Sequence, residues 1–253
     1  MDLDISDILA DIHSPEPLSQ SHLTSTAYID HQQLTRLWTS ERTCPDILPW
    51  PTELMQRVMA RVRAQITRIE DLAAGIVPTN LSGNSGSRAG NQNLNLTLSI
   101  LQTDLSRTQF LVRSLLRQRL AKLTKHAAYY LTQLNADTKE HLLAPAEVEF
   151  LKQHQALLSA LYSASFLEAF PAQLRRLDDT AGGVSMVEGP EGKSAVFVRC
   201  LGERWGGSEE DADEDGDGDG GPSGLLRMRR GEVWVVRWED VRKGVLDGNL
   251  ELL

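Results

Sequence analysis

The chain has no apolar run of about 18 residues, so it contains no segment able to cross a bilayer as a helix. Its N-terminus has no basic stretch leading into an apolar one, and a secretory signal is not expected. Only two cysteines occur in 253 residues, Cys44 and Cys200. Two thiols make neither a disulfide framework nor a metal set, and they suit a cytosolic or nuclear address. The six histidines are scattered, and none stands at metal-ligand spacing from Cys or carboxylates. There is no Gly-rich phosphate loop, no nucleophile elbow and no Cys–His pairing. These absences leave an enzyme nothing to work with. No catalytic residue, cofactor or metal is expected, and the reading turns to an interaction protein.

Charge is present but concentrated. Glu209, Glu210, Asp211, Asp213, Glu214, Asp215, Asp217 and Asp219 form one acidic run, and they account for nearly all of the formal net charge of −9. The run resembles the start of a calcium loop, with Asp211, Asp213, Asp215 and Gly216 at the first, third, fifth and sixth positions. The twelfth position needs a bidentate Glu and holds Pro222, so a solvated acidic insertion is the better reading.

The expected fold is α+β, with an N-terminal all-α helical bundle followed by a small β-rich domain. Ile5, Ile8, Leu9 and Ile12 make an apolar stripe in a short tip at 1–12. A Ser, Pro and Thr-rich linker follows at 13–29. Asp30 is a candidate N-cap for a first helix. Pro45, Pro49 and Pro51 stop that helix, and Pro51 opens a second one up to Gly75. The run 76–93 reads as a low-complexity insertion. A helix of about 40 residues is expected from Leu94 to Leu134, near 60 Å long. Another opens at Pro145 and Glu147, and the helical domain spans 30–170. After a connection at 171–194, the β-rich domain covers 195–253. Strands are expected at 195–201, 225–230, 232–238 and 249–253, with an acidic insertion at about 204–224.

Residues 104–125 carry six cations, among them Arg119 and Lys122, against Asp104. They read either as the polar face of an amphipathic helix or as a nucleic-acid contact of a stand-alone nuclear adaptor. No aromatic or Gly-rich nucleic-acid module accompanies them, which favours the polar face.

The segment 34–66, "LTRLWTSERTCPDILPWPTELMQRVMARVRAQI", resembles the Sld-type subunit of the eukaryotic GINS replication complex, in its fungal form. Trp38, Glu41, Arg42, Pro45, Leu48, Pro49 and Trp50 carry the likeness. At the other end Gly231, Val236, Arg237, Val241, Gly248 and the closing Leu250, Glu251, Leu252 and Leu253 resemble that family's β domain. The resemblance implies a non-catalytic nuclear subunit of a heterotetramer with three Psf-type chains. It also implies a scaffold that activates the replicative helicase, joining the MCM hexamer and its Cdc-type cofactor. Trp38, Pro49, Trp50, Gly231, Leu250 and Leu252 are then structural residues. Trp50 is expected to wedge between the first two helices, and Leu250 and Leu252 to share one face of a last strand.

The tip gains a role from the same resemblance. A twelve-residue helix does not hold alone in water. Fungal members carry a similar tip that docks onto a Ctf-type trimeric replisome hub. Ile5, Ile8, Leu9 and Ile12 are the expected anchors.

Overall fold

The computed structural model describes residues 18–75, 87–135, 142–171, 175, 186–206 and 226–253. The tip, with Ile5, Ile8, Leu9 and Ile12, lies outside them, as does the acidic run. Among the described residues there are six α-helices: α1 (Leu18–Thr43), α2 (Thr52–Ala73), α3 (Ser87–Lys125), α4 (Ala127–Asn135), α5 (Pro145–Ser165) and α6 (Trp238–Leu246). Five strands complete the order: β1 (Ala195–Cys200), β2 (Arg204–Gly206), β3 (Arg227–Arg229), β4 (Val233–Arg237) and β5 (Leu250–Leu252). The chain is thus a helical body followed by a small β-rich domain.

Two compact units divide the chain. One is Met1–Thr35 with Leu54–Thr108, and the other is Arg36–Glu53 with Gln109–Leu253.

In the first unit, Leu54, Met55, Val58, Val62 and Leu72 of α2 are buried at helical spacing. Here the structure corrects the start of the first helix. Asp30 is not an N-cap: α1 runs back to Leu18 through most of the expected linker. No Gly or Pro interrupts 18–43, so nothing stops the helix from propagating. Asp30 sits mid-helix, 4% exposed, and is held by two cations of α2. Arg57 reaches it from Nη2 at 3.0 Å, and Arg61 also pairs with it. On α2, Gln65 Nε2 donates to the Leu101 carbonyl at 2.9 Å and to Asp104 Oδ2 at 3.0 Å.

The long helix also differs from expectation. It begins at Ser87, inside the run read as an insertion, and it breaks at His126 instead of continuing to Leu134. The break is slight. The His126 N–H still donates to the Lys122 carbonyl, and the Tyr130 N–H to the His126 carbonyl. His126 Nδ1 lies 3.0 Å from the Glu188 carbonyl oxygen.

The β domain belongs to the second unit. Its sheet has the order β4–β1–β5, antiparallel throughout, with Val198 opposite both Trp234 and Leu252. Inward residues alternate along β1 as Val196, Val198 and Cys200. Leu250 and Leu252 are buried on one face of β5 and join that core. Strand β2 was not expected. It occupies 204–206 of the run read as insertion, and it pairs with β3 into a separate two-stranded ribbon. Gly244 of α6 makes room for it: a Cβ there would lie 2.4 Å from Trp205 Nε1. Gly231 turns the chain from β3 into β4 with φ of +86°, a backbone that favours glycine.

Candidate functional site

The turn between α1 and α2, "CPDILPWP", is the hub of the second unit. Its prolines leave the backbone no helical option, so side chains and carbonyls point to several neighbours at once. Cys44 and Leu48 enter the core of the β domain with Val198, Trp238, Val241 and Leu252. Ile47 enters a different core, with Leu123, Tyr130 and Leu151 of the helical body. Successive residues of one turn therefore fasten the two domains together.

Beside the turn lies a buried polar cluster. Arg119 of α3 is 1% exposed. Its Nε and Nη2 donate to the two Glu147 oxygens at 2.7 and 2.9 Å. Its Nη1 donates to Glu41 Oε2 at 3.0 Å and to the Leu48 carbonyl at 2.7 Å. Lys122, one turn on, reaches Glu41 Oε1 and the Asp46 carbonyl, both at 2.7 Å. Burial pulls the Arg119 guanidinium down, but its hydrogen bonds to Glu147 and the Glu41 charge outweigh that and hold it above its ordinary value. Glu147 is also the cap of α5, accepting the Ala144 N–H at 2.9 Å.

Asp46 carries the polar link to the β domain. It accepts the Tyr130 hydroxyl at 2.9 Å and the Ile47 N–H at 2.8 Å, and it pairs with Arg242 of α6 at 2.8 Å. Burial, and then the Asp46 charge, push the Tyr130 hydroxyl well above its ordinary value, so it remains a donor. Burial also pushes the Cys44 thiol up to about 12.

The expected structural residues fall around this turn. Trp38 is half-buried and its Nε1 donates to Ser114 Oγ at 2.8 Å. Pro49 is exposed. Trp50 is half-buried, with the Arg119 guanidinium 5.2 Å from its ring centroid. A cation that already satisfies two carboxylates still has a free face, and the indole covers it.

The cluster is built for structure. Glu41 and Glu147 are both engaged by Arg119, and both are buried. A cleft of about 330 Å³ between α6 and the helical body is lined by Asp46, Tyr129, Trp238, Glu239 and Arg242, a mixed set in which Arg242 pairs with Asp46. Among the described residues no group of three or more His, Cys, Asp or Glu is placed to hold a metal, and no helix is long and apolar enough to cross a membrane.

Two family models match in the same order as the two domains. Residues 70–166 match a GINS complex protein helical bundle domain, and residues 190–253 match the C-terminus of the DNA replication complex GINS protein SLD5. A protein of that name from Chaetomium globosum is 33% identical over 99% of this chain and 100% of its own length. The chain belongs to the SLD5 family. Its relatives of the same name in Schizosaccharomyces pombe and Saccharomyces cerevisiae are 33% and 29% identical over 66% and 88% of this chain. The match to the Chaetomium globosum protein covers both domains of this chain.

The surface complements the buried cluster. On α5, Leu157 and Leu161 are 70% and 58% exposed, and no Asp, Glu, Lys or Arg occurs from Gln153 to Leu167. On α3, Leu96 and Ile100 in the first unit and Phe110 in the second are also largely exposed. Sequence reading used the apolar period to assign helices and overlooked these outward positions. The missing charge on α5 was the signal available.

Proposed function

We propose that this chain is a non-catalytic subunit of a nuclear GINS heterotetramer and acts there as a scaffold. Its three companions are Psf-type chains. The assembly joins the MCM hexamer and its Cdc-type cofactor and activates the replicative helicase during DNA replication. Family membership supports the reading, and one structural observation carries it: the uncharged, exposed face of α5. An exposed helix face of this kind, with no Asp, Glu, Lys or Arg over its last three turns, marks a surface that another chain covers. The buried Arg119 cluster supports the scaffold role, because it fixes the turn that joins the helical body to the β domain. We further propose that the tip docks through Ile5, Ile8, Leu9 and Ile12 onto a Ctf-type trimeric hub.

The adaptor reading, with nucleic acid bound along 104–125, loses support. Arg119 and Lys122 are turned inward and engaged by Glu41 and Glu147. Affinity capture from nuclear extract, read by mass spectrometry, tests the proposal. Three Psf-type chains in equal amounts are expected with the intact chain, and fewer with Leu157→Glu/Leu161→Glu. Capture of none of them by the intact chain contradicts the reading.

A further inference from the structure

Helix α3 turns one narrow stripe of its second-unit portion to solvent. From Gln109 to Lys125 the exposed residues are Phe110, Arg113, Arg117, Ala121, Thr124 and Lys125. All but Thr124 recur at intervals of three or four, so they stand one above another, about 4.5–6 Å apart along the axis. The opposite side of the same turns faces the protein, with Val112, Leu115, Arg119 and Leu123 buried. Along the helix the stripe runs apolar, cation, cation, apolar, cation. Phe110 at its head is 60% exposed. No Asp or Glu occurs from Leu105 to Lys125, so these turns hold no acid to answer the cations. On the inner side Arg119 and Lys122 are met by Glu41 and Glu147. On the outer side Arg113 Nη2 donates to Gln109 Oε1 at 3.3 Å, one turn back. Among the described residues Arg113, Arg117 and Lys125 have no ion pair.

Three outward cations with no acid of their own favour an acidic partner. The two apolar positions decide its kind. A nucleic-acid backbone carries a charge at every step, so phosphates passing Phe110 and Ala121 would meet a phenyl ring and a methyl group instead of a cation. A second helix has the same rise per turn as α3. It can set an apolar side chain against each of these positions and a carboxylate against each cation. Burial of Phe110 then supplies the stabilisation, while exposed ion pairs add little energy and chiefly select the partner. We propose that the α3 stripe receives an acidic helix of a companion subunit. That helix carries, at intervals of one turn, an apolar residue, two acids, an apolar residue and a third acid. It belongs to the assembly proposed above, so its presence rests on that reading.

Carbodiimide coupling, which joins an amine to a carboxylate in contact with it, tests this on the tagged full chain captured with its partners from nuclear extract. Arg113→Lys/Arg117→Lys keeps the charges and supplies amines in place. Peptide mass spectrometry should find the amines at positions 113 and 117 coupled to two acids about one turn apart in one partner chain. The Lys125 amine should couple to a third acid about two turns beyond, with an apolar residue midway. Arg113→Glu/Arg117→Glu should lower the yield of that partner about tenfold or more, since like charges then face each other. Phe110→Ala should lower it as well. Should the charge-reversed chain fail to accumulate, the coupling pattern of the lysine variant decides alone. Coupling of those amines only to acids of this chain, or to acids without that spacing, overturns the proposal. Undiminished capture by the charge-reversed chain overturns it too, as does duplex DNA bound by the captured complex and lost on charge reversal. Capture of no partner by the intact chain contradicts the assembly reading as well, whereas normal capture without such coupling contradicts the α3 docking alone.

Discussion

Arg119 and Glu147, on different helices, meet as a two-pronged pair: Nε to Oε1 at 2.7 Å and Nη2 to Oε2 at 2.9 Å. Glu147 at once caps α5, and Arg119 at once binds the carbonyl of Leu48 in the joining turn. One pair therefore sets the start of a helix and the path of the turn. Removing one partner of a buried pair leaves an uncompensated charge and costs about 3–5 kcal/mol. Arg119→Met should lower the thermal midpoint strongly, while Arg119→Met with Glu147→Met and Glu41→Gln should recover part of the loss. Calorimetry on the assembled complex carrying each of the three chains checks this. An unchanged midpoint for the single variant contradicts the role given to Arg119.

Cys44 supplies a prediction about pH. Its thiol is pushed from an ordinary 9.0 up to about 12 in the folded chain by burial. The unfolded thiol ionises first, so the folded state binds more protons between those values. The contribution of Cys44 to stability is fully present below about pH 9 and is lost as pH rises from there toward 12. Cys44→Ala should flatten the alkaline side of the stability profile measured in urea. At neutral pH Cys44 should resist thiol reagents until the chain unfolds.

The fold was legible where the pattern was local. The apolar period of α2, the Pro145–Glu147 opening of α5, and the alternation of β1 all declared themselves within a few residues. What failed depended on distant partners. An acid just ahead of an apolar stripe reads as an N-cap, and only Arg57 and Arg61, 27 and 31 residues further on, reveal Asp30 as a buried mid-helix anion. Strand β2 is three residues long, and its partner lies beyond the acidic run. Arg119 looked like one more cation on a basic face, because Glu41 lies 78 residues away and Glu147 lies 28.

Gly244 tests the β domain. A methyl group there would meet the Trp205 indole at 2.4 Å and Leu250 Cδ1 at 2.8 Å. Overpacking of this kind costs about 1–3 kcal/mol. Gly244→Ala should lower the midpoint of the β domain and loosen β2 first. Amide exchange in β2 and β3 that stays as slow as in the parent contradicts this.

The last strand carries the same domain from the other side. Leu250 and Leu252 are 3% and 2% exposed. Leu252→Ala should cost about 2–5 kcal/mol, and removal of 249–253 should unfold the domain and weaken assembly. Far-ultraviolet dichroism and co-purification read the two effects. A truncated chain with unchanged melting and assembly contradicts the packing described.

The tip should behave independently of all this. Ile8→Ala/Leu9→Ala should abolish hub binding by a peptide of residues 1–14 and leave the stability of the assembled chain unchanged. Loss of assembly stability instead would place the tip in the protein's own core.

Membership of a four-chain scaffold is the central claim, and native mass spectrometry of co-expressed chains tests it most directly. Produced alone, the chain should be poorly soluble, since the uncharged α5 face is left open. Produced with three Psf-type partners, it should yield one species holding a single copy of each. A soluble, monodisperse chain that stays apart from all three partners contradicts the account.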